Sequence, residues 1–546
     1  MKTKLLLVVF AAFLFKLAVS STGWYWDYVL ISKNGESPAY YWIGDNPGAH
    51  TQLAGYDFGT VSTLQISGAD MRYWSDTQDR TGSAFYYLIR GLDNVVYVGP
   101  TEIIMNQEYL GGNDYRGTIL NLQINLLENL KPNTEYKLEI YAKHWGTGQG
   151  DNWLSNGGLN YVANFKTSPV MVFGANEIID GTGYSGLRLA INAINNTSSQ
   201  LNKEIEIRIG ASLTESSQSQ LFFKNWKKLT IFPTEDNIVI AGDISNSLIR
   251  LNEVKNVVID GRKNKEGTDI VLTIINTSNS TNSSVIDLIN GSQYNVIQYC
   301  KIKGKTQANT NGLIFFGGST SIEGNSYNKV LNNEISGISD NERPRNAISS
   351  NGSNGRENIY NEIKNNKIFN FINKDASSNG INLNYNSNYF TIENNSLYEE
   401  IENLEIQGRY LYYAITSTTN SVVYIKNNYI GGNAPEAQGV WKFVGKETDG
   451  KISAPFSFTG IRVSGKNDEN SIVENNTIRG FYMITGGLDN NHDTWDGIYI
   501  NSGNVIVRNN TIGAPEGNAS IYVEATNGGT IATSHGILNN SQGKIY

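Results

Sequence analysis

One six-residue phrase recurs through the second half of the chain: apolar, any residue, Asn, Asn, any residue, apolar. Its copies carry the pairs Asn332-Asn333, Asn365-Asn366, Asn394-Asn395, Asn427-Asn428, Asn475-Asn476 and Asn509-Asn510. The first Asn recurs after 33, 29, 33, 48 and 34 residues. A period in this range means a stacked array, in which each unit buries its apolar face only against its neighbours. A second phrase travels with the first: Gly312-Leu313-Ile314-Phe315, Ala347-Ile348-Ser349, Gly380-Ile381-Asn382-Leu383, Ala414-Ile415-Thr416, Gly460-Ile461-Arg462-Val463 and Gly497-Ile498-Tyr499-Ile500. Each copy alternates apolar with variable residues, the period-two signature of a strand.

No segment between the copies sustains a helical period, which argues against leucine-rich and paired-helix solenoids. Asn and Gly mark the turns because both tolerate left-handed backbone angles, and stacked Asn side chains can bond along the array as a ladder. The pattern therefore predicts an all-β chain whose residues 169–546 form a right-handed parallel β-helix. A β-propeller, with blades of roughly 40–50 residues, is the alternative. The 48-residue gap is read as a loop inserted into one coil. An amphipathic helix near 185–196, with Leu187, Ile191 and Ile194 on one face and Ser185 as N-cap, is expected to close the N-terminal mouth. At the other end, Leu538-Asn539-Asn540 begins a further copy of the first phrase.

The first twenty residues have the order of a secretory leader: Lys2 and Lys4, an apolar run from Leu5 to Phe15, then Ala18-Val19-Ser20. The mature chain is expected to start at Ser21 and to be secreted or displayed at the cell surface. The leader is too short to span a bilayer, and no other segment is apolar enough to form a transmembrane span. The single cysteine, Cys300, excludes an internal disulfide framework. Tyr299-Cys300 aligns with the Asn pair, which predicts a buried ladder position for the thiol. The formal charge is −8, and losing Lys2, Lys4 and Lys16 with the leader makes it −11. Such a surface argues against nucleic acid or an anionic membrane as partner. A monomer is expected.

Residues 21–168 lack the repeat. Short strand-like runs separated by Gly, Asp and Asn suggest a β-sandwich accessory domain, and Leu130–Ile140 resembles the late strand of fibronectin type III domains. Trp24, Tyr25, Trp26, Tyr73, Trp74, Trp145 and Trp153 crowd this region. They form either a carbohydrate-binding face or an ordinary aromatic core. Asp76–Asp79 and Gly111–Asp114 are oxygen-rich loops that suit Ca²⁺ or simple turns equally well.

From Leu229 onwards the phrases Leu229–Pro233, Val257–Arg262, Asn295–Gly304, Ile368–Phe371 and Gly380–Leu383 follow in order. This combination resembles the right-handed β-helix repeat proteins secreted by Bacteroidota, within the pectin-lyase-like superfamily, over roughly Pro169 to Tyr546. The resemblance implies fold more than chemistry, because its motifs are structural phrases of the coil; such proteins are mostly without assigned activity and often surface-displayed.

On folds of that kind, sugar-processing residues lie on the outer face of one sheet. The outward positions of the second phrase are read as Ile314, Ser349, Asn382, Thr416, Arg462 and Tyr499, with adjacent coils about 4.8 Å apart. Asp489–Asp496, with His492, Asp493 and Trp495, leads into Tyr499 and is the densest mixture of carboxylate, imidazole and indole in the chain. Arg462, His492, Asp493 and Asp496 are the candidate catalytic residues; Asn382, Asp489, Trp495 and Tyr499 are the candidate substrate-binding residues. The aspartates supply either carboxylates for hydrolysis or ligands for Ca²⁺, and a hydrated turn between coils explains them too. Asp260-Gly261-Arg262 reads as a tight turn. The remaining histidines, His50, His144 and His535, are placed in unrelated contexts. Three functions stay open: a non-catalytic, adhesin-like protein binding glycans (a polysaccharide or cell-surface glycan) or other surfaces, a polysaccharide lyase or glycoside hydrolase, and a passive structural envelope component.

Overall fold

The structure is a computed structural model; it describes residues 21–44, 49–148, 150–486, 495–514, 520–526 and 533–541. The leader lies outside these residues, as do Asp489, His492 and Asp493.

At each Asn-Asn phrase the chain turns a corner, and the two asparagines divide the work. The first of each pair (Asn332, Asn365, Asn394, Asn427, Asn475, Asn509) takes a left-handed φ between 55° and 58°, an angle Asn tolerates better than bulkier residues. The second points inward and bonds to its counterpart one coil on. The Nδ2 of Asn333 donates to Asn366 Oδ1 at 3.1 Å, Asn366 to Asn395 at 2.9 Å, and Asn395 to Asn428 at 3.0 Å. Asn428 to Asn476 at 3.0 Å and Asn476 to Asn510 at 2.9 Å continue the ladder. Each backbone N–H in the ladder donates to the same carbonyl oxygen as its side chain, so the buried corner leaves few polar groups unmet. Cys300 heads the column: its N–H donates to Asn333 Oδ1 at 2.9 Å, and burial pushes its thiol up, away from the reactive thiolate.

Between corners the strands form three parallel sheets. The first runs from Glu204–Ile209 to Val505–Arg508, the second from Leu213–Glu215 to Thr511–Ile512, and the third from Ser219–Phe222 to Ser534–Asn539. The chain visits the three in turn, so each strand pairs with its counterpart one coil later, as Ile297 with Val330, Ile302 with Ile335 and Ile314 with Ile348. Inward Ile, Leu and Val from all three sheets make one continuous apolar column.

The 48-residue interval is more than a loop. It contributes Trp441–Gly445, which joins Leu404–Ile406, Phe481–Thr485 and Ile521–Ala525 in a fourth parallel sheet. Trp441, Phe443 and Met483 are fully buried there, and that apolar content is why the segment folds into the coil rather than looping out.

The helix Leu187–Asn196 buries Leu187, Ala190, Ile191 and Ile194 against the first coils. Its cap differs from the sequence expectation. Gly186, not Ser185, precedes it without a side-chain bond. Glu215 from the second sheet instead accepts the Leu187 N–H at 2.7 Å and the Arg188 N–H at 3.4 Å, placing a carboxylate at the positive end of the helix.

The chain divides into two compact units: residues up to 128 together with 135–166, and 129–134 together with 167–546. The fibronectin-like phrase is split between them, since 129–134 belongs with the coil. In the first unit the strands form one largely antiparallel path rather than two separate sheets. Val96–Gly111 joins its halves, pairing early with Arg80–Gly91 and late with Asp114–Asn125. The halves face each other where His144 stacks on Tyr73 at 4.5 Å and lies 4.7 Å from Trp24.

Candidate functional site

The outer face of the third sheet gathers side chains from distant parts of the chain. One row follows the register Phe315, Ser349, Asn382, Thr416, Arg462, Tyr499 and Leu538. Its start corrects the sequence reading: Ile314 pairs with Ile348 and points into the core, and Phe315 takes the outer place. The Leu313-Ile314-Phe315-Phe316 run is apolar throughout, so periodicity could not fix its phase. A parallel row reads Asn379, Tyr413, Thr459, Asp496 and His535. Between the rows the strand presses a glycine inward. A Cβ on Gly460 would lie 2.6 Å from the Gly497 carbonyl, and one on Gly497 2.6 Å from the Gly536 carbonyl. The Gly-Ile phrase is thus a packing requirement.

Arg462 lies between two phenol rings, its guanidinium carbon 5.5 Å from the Tyr413 centroid and 5.9 Å from that of Tyr499. Contacts of this kind favour a cation over a ring face. Its Nε is buried and meets no acceptor among the described residues. One polar atom on each of the three preceding rungs is also buried without a hydrogen-bond partner among the described residues: Thr416 Oγ1, Asn382 Oδ1 and Ser349 Oγ. Four rungs in line span about 14 Å at the parallel-coil spacing. Beside them, Asp496 Oδ1 is 3.0 Å from His535 Nδ1, with Asp496 only 4% exposed. Burial pushes the Tyr413 hydroxyl above its ordinary value, and Asp496 adds to the rise while Arg462 opposes it.

Arg462, Asp496, Tyr499 and Asn382 therefore share one face, all within three rungs of one another. Trp495 does not join them. It is 2% exposed and packs inward against Phe481 at 5.7 Å, so it cannot stack on a sugar; in register it pairs with the inward Phe458. His535, set aside on sequence grounds, is the partner of Asp496. Its signal was available: Ser534-His535-Gly536-Ile537 is one more copy of the Gly-Ile phrase, with His535 where Thr459 and Asp496 stand. The strands Tyr410–Ser421, Phe456–Gly465, Trp495–Ser502 and Ser534–Asn539 contain one carboxylate, Asp496. Hydrolysis of a glycosidic bond ordinarily uses two.

No group of three or more His, Cys, Asp or Glu side chains able to hold a metal occurs among the described residues. Asp79 of the first oxygen-rich loop already accepts bonds from Thr77, Arg80 and the Gly148 N–H. Asp260 is bound by Arg262 at 2.6 Å and Gln298 at 2.7 Å, as a turn requires. The aromatic residues of the first unit separate into groups. Trp24 and Tyr73 pack on His144. Trp145 and Trp153 clasp the Lys143 ammonium at 5.3 and 5.2 Å. Tyr25 and Trp26 face solvent. A feature sequence reasoning missed runs along another corner, where Tyr294, Tyr327, Tyr360 and Tyr389 stack at 5.0, 5.4 and 4.9 Å. The two inner rings, Tyr327 and Tyr360, have both faces occupied by neighbours, which leaves edges rather than platforms for a sugar.

No family model and no curated protein matches this chain. Among solved structures, the Streptococcus pneumoniae surface protein and adhesin PfbA aligns with 66% of this chain and 94% of its own, at 13% identity and a TM-score of 0.29. A likeness that low carries no statement about what this chain does. No helix among the described residues is long and apolar enough to cross a membrane.

Proposed function

We propose that the chain is an exported, monomeric protein of the right-handed parallel β-helix, pectin-lyase-like kind, with a β-sandwich accessory domain, and that it binds an acidic polysaccharide along the outer face of its third sheet. The carrying observation is Arg462 on that face, its guanidinium between the Tyr413 and Tyr499 rings at 5.5 and 5.9 Å, in register with Thr416, Asn382 and Ser349 on the preceding rungs. The rungs repeat at about 4.8 Å, a spacing similar to that of an extended chain of hydroxyl-bearing units. Arg462 supplies the cation for a uronate carboxylate, and Tyr499 offers a half-buried ring beside it. The charged-then-apolar leader supports export. The test is retention of the purified protein on immobilised polygalacturonate or alginate. Arg462→Ala is expected to weaken retention at least tenfold with thermal unfolding unchanged; undiminished retention would refute the reading.

A second reading rests on the Asp496–His535 contact at 3.0 Å, since a carboxylate bonded to one imidazole nitrogen orients the ring so that the other can take a proton. With Arg462 neutralising the uronate carboxylate, His535 would take the C5 proton, the C4–O bond would break, and a C4–C5 double bond would form as the leaving oxygen gains a proton from Tyr499. That reaction raises ultraviolet absorbance, and His535→Ala would abolish the rise. Flat absorbance on every uronate polymer that binds leaves the non-catalytic reading standing alone.

A further inference from the structure

The first unit holds a site that owes nothing to the coil. Thr22–Lys33 pairs antiparallel with Leu64–Ser75, and its register breaks between Trp24 and Asp27. A bulge re-aims side chains that would otherwise alternate, and here it turns two consecutive aromatics outward: Tyr25 is 43% and Trp26 55% exposed. A second break falls between Tyr109 and Gly111, where Val96–Gly111 meets Asp114–Asn125; it leaves Leu110 outward as well. Both bulges open onto one cavity of about 290 Å³, lined by Tyr25, Trp26, Arg72, Leu110, Asp114 and Tyr115.

The polar groups in this cavity are complementary in kind. The Arg72 guanidinium sits 5.2 Å from the Trp26 ring centroid, and its side chain makes no hydrogen bond or ion pair among the described residues. Asp114 Oδ1 accepts from the Tyr25 hydroxyl at 3.0 Å. The wall thus offers a flat apolar ring, a group that only donates, a group that only accepts, and charges that cancel. We propose that this cavity binds one neutral hexose unit of a glycan, its ring face against the aromatics and its hydroxyls bonded to Arg72 and Asp114. An apolar peptide side chain would fill the volume yet give Arg72 nothing to bond, and an anion would face Asp114. A volume near the low end of small-ligand pockets, about 300–1,000 Å³, suits a single sugar unit.

The experiment is affinity electrophoresis of the full chain through soluble β-glucan, mannan and galactan, all uncharged, with tryptophan fluorescence as a second readout. At least one polymer should retard the parent and shift its emission. Trp26→Ala should weaken that binding tenfold or more, and Arg72→Met should weaken it while leaving the fluorophore in place. Leu159→Ala, an exposed residue outside the cavity lining, serves as control. No retardation by any of the three, equal retardation of parent and both variants, or binding only to leucine- or phenylalanine-rich peptides would overturn the proposal. The acidic-polymer site on the coil is tested separately by Arg462→Ala, so either proposal can fail without the other.

Discussion

His144 shows how one side chain ties a unit to pH. It is fully buried between Tyr73 and Trp24, and its Nδ1 lies 3.3 Å from Arg80 Nη1. Arginine can only donate, so Nδ1 must accept and the ring must be neutral. Burial, with Arg80 adding to it, pulls the imidazole down to about 3. The unfolded chain, with an ordinary value near 6.5, therefore binds a proton that the folded chain refuses. Stability from this group is complete above about pH 6.5 and drains away as pH falls towards 3, by roughly 4 kcal/mol at pH 3. Urea unfolding at pH 7 and pH 4 should show that loss in the parent and a smaller one in His144→Asn, which keeps an acceptor for Arg80 but does not titrate; equal losses would contradict the assignment. In the coil, Arg343 and Glu399 form a fully buried two-pronged pair at 2.6 and 2.9 Å. Arg343→Met strands a buried carboxylate and should destabilise by about 3–5 kcal/mol. Arg343→Met with Glu399→Leu should recover part of that loss in the same denaturation assay.

At the scale of elements, the Asn ladder is the unit that sets register. Asn395 accepts the N–H and Nδ2 of Asn366 and donates to Asn428 and to the Ile363 carbonyl. Asn395→Ala orphans two buried donors and should cost about 2–4 kcal/mol. Asn510→Ala, at the half-buried end of the ladder, should cost less than half of that, and equal costs would deny the ladder its graded burial. This element was legible in sequence because αL geometry and buried amide bonding both demand one residue type. The corner that leads from the third sheet into the first was not. There the left-handed position is held by Tyr294, Tyr327, Tyr360 and Tyr389, with φ of 55–58°. Tyr carries no such preference; stacking along the array substitutes for it. The Asn295, Asn328 and Asn361 ladder behind them is hidden for the same reason. Ile314 went astray because four apolar residues in a row have no phase, and Trp495 because a residue that follows a polar stretch of sequence can still begin a strand with its side chain inward.

Over the whole molecule, stacking turns sequence distance into adjacency. Thr416, Arg462 and Tyr499 are separated by 46 and 37 positions yet are register neighbours, as are Asp496 and His535. The outward positions of the repeated phrase named Arg462 and Tyr499, but His535 was overlooked because its own copy of the phrase, Ser534-His535-Gly536-Ile537, was not aligned with the others. The row predicts a footprint. Amide hydrogen exchange with and without saturating polygalacturonate should show protection in 346–350, 378–383, 410–421 and 456–465, strongest around Arg462. Unchanged exchange in these strands under conditions where the polymer is bound, or protection confined to the Asn-Asn corners, would contradict the assignment of the third sheet's outer face as the glycan-binding surface.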